Sequence, residues 1–213
     1  MTTLALQAHA VSHSFGSVPV LRGLNCDLAP GCAAAIIGSN GSGKSTLVRI
    51  FAGLLKPTAG SMVLFGDSRI DRRRLGLLTH QTFLYRNLTA RENLEFYAAL
   101  YGMRNPPQIA AEWIERIGLE ALAAYRVRTI SRGNEQRLAI ARALIANPDL
   151  LIMDEPFTAL DVAGAELVKG LIAESMERGC AVVLTAHSGA TLTAIACERY
   201  ELSRGRLAAD KGT

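Results

Sequence analysis

Short continuous runs of apolar residues recur along the chain, and each of them predicts a buried β-strand. The three clearest runs cover residues 33–37, 150–153 and 181–185. Continuous rather than alternating apolar character indicates a parallel sheet that is covered on both faces. Each run is followed by residues that could carry chemistry: a glycine-rich loop, an Asp-Glu pair and a histidine. Because ligand sites in such sheets lie at the carboxyl ends of the strands, the three ends predict one site.

The first part of the chain has a different pattern. Residues 4–28 alternate weakly between apolar and polar positions, with turn signals at residues 15–19, and residues 60–65 are similar. This alternation predicts strands of a mostly antiparallel β layer.

Helical patterns dominate between residues 84 and 148. Thr89 and Glu92 have the spacing of a capping box, in which the hydroxyl and the carboxylate each satisfy a free amide at the helix start. Three helices are predicted, at residues 93–102, 109–117 and 134–146, with an interruption at Pro106 and Pro107. The pattern therefore predicts a helical lobe inserted into an α/β core.

Composition narrows the class of protein. The chain has 213 residues, of which 49% are hydrophobic and 20% charged, and its net charge is +4. This size fits one compact domain, and so mild a charge does not favour nucleic-acid binding. Four dispersed cysteines without a CxxC pair favour reduced, packed thiols over a metal site.

No membrane segment is predicted. No apolar run reaches the roughly 18 residues that a bilayer requires, and residues 1–14 lack the pattern of a signal peptide. A membrane role would therefore require docking onto a separate membrane-spanning partner.

The segment after the first apolar run fits the phosphate-binding pattern G-x-x-x-x-G-K-[ST]. Its candidate nucleotide-binding residues are Gly38, Ser39, Asn40, Gly41, Ser42, Gly43, Lys44, Ser45 and Thr46. The glycines allow backbone amides to turn toward phosphate oxygens, and the following helix, predicted at residues 47–55, presents its positive end. In this pattern Lys44 reaches the β- and γ-phosphates, and the hydroxyl of Ser45 binds Mg²⁺.

The second apolar run ends at two adjacent carboxylates, Asp154 and Glu155. Asp154 is predicted to hold Mg²⁺ through water, and Glu155 to polarise an attacking water as a general base. An isolated Asp-Glu pair is common where a strand ends in a polar turn. Here it accompanies a phosphate loop, which favours the catalytic interpretation.

Residues 130–137 read Ile-Ser-Arg-Gly-Asn-Glu-Gln-Arg and begin a predicted helix. They resemble the signature motif of ABC ATPases, Leu-Ser-Gly-Gly-Gln followed by Gln-Arg. The resemblance implies that Ser131 and Gly133 bind the γ-phosphate of nucleotide held by a second subunit, as a hydroxyl and an amide at a helix N-terminus can. Three positions depart from the pattern: Ile130, Arg132 and Asn134. Arg132 either adds charge near the phosphate or points to solvent.

Four further residues match the family in its order along the chain: Phe15, Gln81, Asp161 and His187. The resemblance implies that Gln81, after an extended stretch at 75–79, senses Mg²⁺ and the membrane partner, and that His187 contacts the γ-phosphate. It places Asp161 in a loop at the dimer interface. Phe15 would stack on adenine, the alternative being a core phenylalanine near a turn. The implied catalytic residues are Lys44, Glu155 and His187, and the implied metal ligands are Ser45, Gln81 and Asp154.

The resemblance covers residues 4–207 and implies an α/β fold. This fold is a P-loop NTPase (RecA-like) parallel-sheet core with an N-terminal antiparallel β layer and an inserted α-helical subdomain. Residues 1–213 would form a single ABC ATPase domain, with the core and β layer at about 1–82 and 149–213 and the helical subdomain at about 83–148. ATP and Mg²⁺ are the implied cofactors. A homodimer or heterodimer of ATPase domains is expected, because each site needs a signature from a second subunit.

A finer likeness concerns the kind of transporter. Residues 79–81 with 87–97, residues 154–161 and the phosphate loop resemble the haem-exporter ATPases of cytochrome c maturation (CcmA type). This implies a peripheral subunit at the cytoplasmic face of the inner membrane, with Tyr85 and Leu88 in a groove for a membrane-spanning subunit. The alternatives are a drug, lipid or small-ion exporter and, more remotely, a non-transport ABC ATPase acting on nucleic acid or ribosomes.

Overall fold

The computed structural model describes residues 3–67, 70–192, 195 and 197–210. The strands are β1 (Leu6–Phe15), β2 (Val18–Leu28), β3 (Ala33–Ile37), β4 (Ala59–Leu64), β5 (Leu75–Leu78), β6 (Leu150–Met153), β7 (Ala181–Ala186), β8 (Glu198–Ser203) and β9 (Arg206–Ala209). The α-helices are α1 (Lys44–Phe51), α2 (Ala90–Leu100), α3 (Pro106–Arg116), α4 (Arg132–Leu144) and α5 (Val162–Glu177). Short 3₁₀ turns cover Arg72–Arg74, Glu120–Leu122, Val127–Thr129 and Gly189–Leu192.

The main sheet has the strand order β5-β6-β7-β3-β8-β9. Neighbouring strands run parallel except β8 and β9, which form an antiparallel hairpin. The three apolar runs of the sequence form β3, β6 and β7, and every residue of β6 and β7 is buried. Because these strands are adjacent, their carboxyl ends meet at one edge of the sheet, as predicted.

Both faces of the main sheet are covered. Alternate residues of the strands enter two different cores: Ile152 and Val183 pack with the β layer and α1, whereas Leu151 and Leu184 pack with the helices. The β layer is a separate sheet of order β2-β1-β4 with antiparallel pairing, which confirms the prediction for residues 4–28 and 60–65. A strand buried on both faces needs apolar residues at successive positions, which explains the continuous runs.

The helices α2, α3 and α4 lie between β5 and β6 in the sequence. The predicted capping box begins α2: Thr89 Oγ1 accepts a 3.1 Å hydrogen bond from the Glu92 amide, and Glu92 Oε2 accepts a 2.7 Å bond from the Thr89 amide. The architecture therefore has the predicted parallel core, antiparallel layer and helical insertion. The boundaries proposed near residues 83 and 148 stay a prediction, because one continuous hydrophobic core joins the helices to the sheet.

The helices begin earlier than predicted: α2 at Ala90 rather than Asn93 and α4 at Arg132 rather than Asn134, and the difference has a clear local reason in α1 and α3. Helix α1 was expected at residues 47–55 but begins at Lys44 and ends at Phe51. It ends early because Gly53 has a φ of +66°, which lies outside helical geometry. Helix α3 begins at Pro106 rather than Ile109. Proline is favoured in the first turn of a helix, where its missing N–H has no intrahelical acceptor. Within the described residues, no helix has both the length and the apolar character for a membrane span.

Candidate functional site

The predicted phosphate loop connects β3 to α1, and glycine is required at two of its positions. Gly43 precedes α1 with a φ of +107°, which favours glycine. A Cβ atom on Gly38 would lie 2.6 Å from the Leu202 carbonyl oxygen. The loop therefore passes close to β8 and turns sharply into the helix, so that its amides precede the helix N-terminus.

Lys44 folds back across this loop. Its side chain is almost fully buried, and Nζ donates hydrogen bonds to the carbonyl oxygens of Gly38 at 2.7 Å and Ser39 at 3.1 Å. These bonds hold a buried cation over the loop, and its remaining N–H can bind a phosphate oxygen.

The loop fits a phosphate group. The Ser42 hydroxyl is buried without a hydrogen-bond partner, and a buried hydroxyl without a partner is costly. The first turn of α1 carries no acidic side chain that would oppose an anion. A phosphate oxygen would satisfy the Ser42 hydroxyl, so the loop has both the charge and the open donor for nucleotide phosphates.

A cavity of about 960 Å³ lies beside the loop. Residues 39–42 form one wall, and Val18 and Val20 of β2 contribute to another. Phe15 ends β1 opposite Val18 in the hairpin and is 51% exposed, with its ring edge-on to His13 at 4.7 Å. The ring is exposed and its strand partner Val18 lines the cavity, while stacking of Phe15 on adenine stays a prediction.

Asp154 and Glu155 follow β6 and share one hydroxyl of β7. Thr185 Oγ1 donates a 2.6 Å hydrogen bond to Asp154 Oδ1 and accepts a 3.0 Å bond from the Glu155 amide. The Asp154 side chain is only 2% exposed. The hydroxyl therefore fixes both acidic residues relative to the neighbouring strand.

The Glu155 carboxylate is close to two cationic or potentially cationic side chains from other segments. Its Oε1 atom lies 2.9 Å from His187 Nε2 and 3.8 Å from Lys44 Nζ. Glu155 also has a φ of +54°, an uncommon conformation for a non-glycine residue that is more frequent at functional sites. The ends of β3, β6 and β7 thus bring the phosphate loop, the carboxylate and the histidine together.

The proposed magnesium ligands Ser45, Gln81 and Asp154 line one cavity of about 340 Å³. A hydroxyl, an amide carbonyl and a carboxylate provide the oxygen donors that Mg²⁺ prefers. This donor set therefore fits Mg²⁺, and Ser45 lies directly after the lysine of the phosphate loop.

The signature-like residues begin α4. Ser131 is its N-cap, and its hydroxyl accepts a 3.3 Å hydrogen bond from the Asn134 amide. A Cβ atom on Gly133 would lie 2.9 Å from the Ala159 carbonyl oxygen, so this position is restricted to glycine by close packing. Arg132 is exposed and lines a cavity of about 280 Å³ together with Asp154 and Glu155.

Asp161 is the N-cap of α5. Its Oδ1 atom accepts hydrogen bonds from the Gly164 amide at 2.8 Å and from Arg137 Nη2 at 2.9 Å. The Gly164 amide and then the Arg137 guanidinium hold the pKa of this carboxyl below its usual value. Asp161 therefore joins α5 to α4, while its side chain remains 70% exposed.

Two side chains at the site were missed by sequence reasoning. Thr185 was predicted only as the end of a strand, although the parallel register pairs Met153 with Leu184 and so sets Thr185 level with Asp154. His80 lies beside Gln81 in sequence, and its Nε2 atom is 3.8 Å from Asp154 Oδ2. A register between β6 and β7 would have identified Thr185, whereas the resemblance of residues 79–81 gave His80 no functional role.

Known proteins resemble this chain in sequence. A family model described as ABC transporter matches residues 21–158. The Nod factor export ATP-binding protein I of Rhizobium sp. (strain N33) is 35% identical over 194 residues, covering 88% of this chain and 64% of its own length. The Fe(3+) ions import ATP-binding protein FbpC 2 of Rhodococcus jostii (strain RHA1) is 34% identical, covering 97% of this chain and 62% of its own length. The lantibiotic transport ATP-binding protein SrtF of Streptococcus pyogenes is 32% identical, and the match covers 85% of this chain and 80% of SrtF.

Solved structures extend the likeness to the fold. The structure of an ATP-binding subunit of an ABC transporter has a TM-score of 0.88 at 27% identity, covering 96% of this chain and 88% of that one. The dimeric ATP-binding cassette MJ0796 bound to ADP and Pi has a TM-score of 0.84 at 28% identity, and the match covers 98% of this chain and 100% of that one. The family match and the shared fold lead to one conclusion: the chain belongs to the ABC transporter family, within which it forms an ATP-binding domain.

Proposed function

We propose that the chain hydrolyses ATP and couples this reaction to transport, with Glu155 as the general base. The observation that carries the proposal is the convergence on Glu155, whose Oε1 atom lies 2.9 Å from His187 Nε2 and 3.8 Å from Lys44 Nζ. A carboxylate beside a phosphate-loop lysine can take a proton from water while the lysine stabilises negative charge on the phosphate.

The reaction assigns a task to each residue. A water oxygen attacks the γ-phosphorus, its proton passes to Glu155, and the bond to the β-phosphate oxygen breaks, giving ADP and inorganic phosphate. Lys44 and His187 stabilise charge on the phosphate oxygens. Mg²⁺, when held by Ser45, Gln81 and Asp154, supplies positive charge against the phosphates. Thr185 positions Asp154 and Glu155 through its hydroxyl.

A second ATPase domain completes the site in this proposal. Ser131 and Gly133 at the start of α4 would contact nucleotide bound by the other copy, and Asp161 would lie near the interface. The support is the N-cap geometry of Ser131 and the dimeric state of the solved MJ0796 cassette. A homodimer or a heterodimer is compatible with one set of motifs in each chain.

The substitution Glu155→Gln tests the assignment of the base. It keeps the size and polarity of the side chain but removes the basic carboxylate, so steady-state ATP hydrolysis should fall by at least about hundredfold. ATP binding should persist, and the ATP-bound form should accumulate as a dimer in size-exclusion chromatography. The matched control is Glu166→Gln on α5, where the exposed Glu166 carboxylate pairs with Lys169. Normal turnover of Glu155→Gln would show that another group is the base.

Haem export in cytochrome c maturation is our finer proposal for the substrate. It is supported by the likeness of residues 79–81 with 87–97, of residues 154–161 and of the phosphate loop to that family. The relatives described above are named instead for Nod factor export, iron import and lantibiotic transport. A drug, lipid or small-ion exporter is the alternative. Purification of the intact membrane complex, followed by an absorption spectrum and lipid analysis, distinguishes these cargoes by what accompanies the subunits.

The place of action in this proposal is the cytoplasmic face of the inner membrane, where the chain binds peripherally to a membrane-spanning subunit. The exposed aromatic side chains Phe83, Tyr85 and Phe96 support a docking surface. A non-transport role on nucleic acid or ribosomes is the remote alternative, and salt-sensitive binding to nucleic acid would indicate it.

A further inference from the structure

His80 forms a compact group with the two carboxylates at the end of β6. One ligand atom each from His80, Asp154 and Glu155 can be chosen so that all three atoms lie within 4.8 Å of one another. His80 is 64% exposed at its side chain, whereas Asp154 is 2% and Glu155 12% exposed. A solvent-accessible imidazole therefore lies next to two nearly buried carboxylates.

Other side chains already orient both carboxylates. Thr185 Oγ1 donates to Asp154 Oδ1, and Asp154 Oδ2 is left facing His80 at 3.8 Å. On the other side, His187 Nε2 contacts Glu155 Oε1 at 2.9 Å. In protein metal sites, the side chains that bind the ion are commonly held in place by hydrogen bonds to other residues.

The donor chemistry differs from that of the proposed magnesium site. Imidazole nitrogen suits Zn²⁺ and other first-row transition ions, whereas Mg²⁺ prefers oxygen ligands alone. One nitrogen and two carboxylates leave a further coordination position for water, which the cavity of about 280 Å³ lined by His80, Asp154 and Glu155 can admit. Arg132 and Glu135 also line this cavity, so their opposite charges offset each other beside the site.

We propose that His80, Asp154 and Glu155 bind a first-row transition-metal ion, with Zn²⁺ as the representative, when nucleotide is absent. Such an ion occupies the lone pairs of Glu155 and Asp154 that ATP hydrolysis needs, so it inhibits the ATPase. The inhibition rests on the proposed function, whereas the binding does not. The site would make hydrolysis sensitive to the concentration of free transition metal.

The test is a titration of the nucleotide-free protein with Zn²⁺, followed by competition with a chromophoric chelator. We expect one ion per chain, and His80→Gln should weaken the affinity by about tenfold or more, because a metal ligand is lost. His9→Gln is the matched control. His9 Nε2 also lies 3.8 Å from a carboxylate, Oδ1 of Asp27, but among the described residues His9 belongs to no group of three potential ligands. Its affinity should equal that of the wild type.

Unchanged affinity in His80→Gln would overturn the proposal, as would a loss of affinity in His9→Gln of the same size. Titration with Co²⁺ adds a spectroscopic readout. Weak d–d bands without sulfur-to-metal charge transfer are expected, and strong charge-transfer absorption would overturn the site by placing the ion on a cysteine such as the exposed Cys32. Absent metal binding leaves the ATPase proposal intact. Normal turnover in Glu155→Gln would overturn the assignment of the base, yet the metal site would stand if Zn²⁺ binding to the wild-type chain is still weakened by His80→Gln.

Discussion

The hydroxyl of Thr185 donates a 2.6 Å hydrogen bond to Oδ1 of Asp154, across two adjacent parallel strands. The same oxygen accepts the amide hydrogen of Glu155 at 3.0 Å. One fully buried side chain on β7 thus sets the position of both acidic residues that follow β6. Both hydrogen bonds of Thr185 are made to these two acidic residues and neither to the phosphate loop. A substitution of Thr185 therefore tests how the carboxylates are positioned without removing either of them.

The substitution Thr185→Val should lower both stability and ATPase activity. Valine has nearly the same shape but removes the hydrogen bonds to Asp154 Oδ1 and from the Glu155 amide, which costs about 1–3 kcal/mol per unsatisfied group. Urea unfolding monitored by circular dichroism measures the loss, and Thr185→Ser is the control that keeps the hydroxyl. If the valine variant is as stable and active as the wild type, the hydroxyl does not order these carboxylates.

The strands at the centre of the sheet could be predicted from sequence to within about one residue, and a strand at its edge could not. A strand covered on both faces, such as β3, β6 or β7, must be apolar at successive positions. In β8 only Leu202 is buried, and the strand contains Glu198 and Glu201. Its sequence therefore lacks the continuous apolar run, although β8 pairs directly with β3.

Some residues of the candidate site could likewise be predicted from sequence, and others could not. The phosphate loop and the Asp154–Glu155 pair are local motifs, because their chemistry requires fixed spacing along the chain. Thr185 and His80 contact Asp154 although they are 31 and 74 residues away from it in the sequence. Their partners follow only from strand register and from the turn after β5, which no local pattern encodes.

The substitution Lys44→Ala should weaken ATP binding. Lys44 is the buried cation of the loop, and loss of charge-assisted bonds worth about 1.5–3 kcal/mol corresponds to about a ten- to hundredfold rise in Kd. Titration with a fluorescent ATP analogue measures this change. Lys169→Ala on α5 is the control, because Lys169 pairs with Glu166 at the surface and should leave Kd unchanged. An unaltered Kd in Lys44→Ala would contradict the assignment of the phosphate loop.

The contribution of Asp161 to stability should depend on pH. Its pKa is lowered in the folded state, first by the Gly164 amide and then by Arg137, so the ionised form is favoured by folding. The stabilisation is therefore complete above the unfolded pKa of about 3.9 and is lost as pH falls through the lower folded pKa.

Urea unfolding of the wild type and Asp161→Ala at several pH values measures this effect. The difference in stability between them should be constant near neutral pH and shrink below about pH 4. Asp161→Asn separates the two partners of Asp161, since asparagine can still cap α5 but carries no charge for Arg137. A difference that is independent of pH down to about pH 2 would show that the carboxylate charge has no role.

The membrane partner should dock on an aromatic surface at the start of the helical region. Tyr85 is 49% exposed and packs edge-on against Phe96 with ring centroids 4.8 Å apart, while Phe83 is 45% exposed. Leu88 is half-buried in the same segment. Exposed apolar groups in such a cluster indicate an interaction surface, whereas single exposed residues do not.

The substitutions Tyr85→Glu and Leu88→Glu should therefore separate assembly from nucleotide binding. A charge introduced into an apolar interface should weaken co-purification of the membrane subunit by about tenfold or more, because aromatic anchors dominate such interfaces. ATP affinity of the isolated chain should stay at the wild-type value, since neither residue lines the cavities beside the phosphate loop and Gln81. Leu100→Glu, at the far end of α2 and 66% exposed, is the control that adds the same charge outside this surface. If both variants assemble a complex with transport-coupled ATPase activity like that of the control, the partner docks elsewhere.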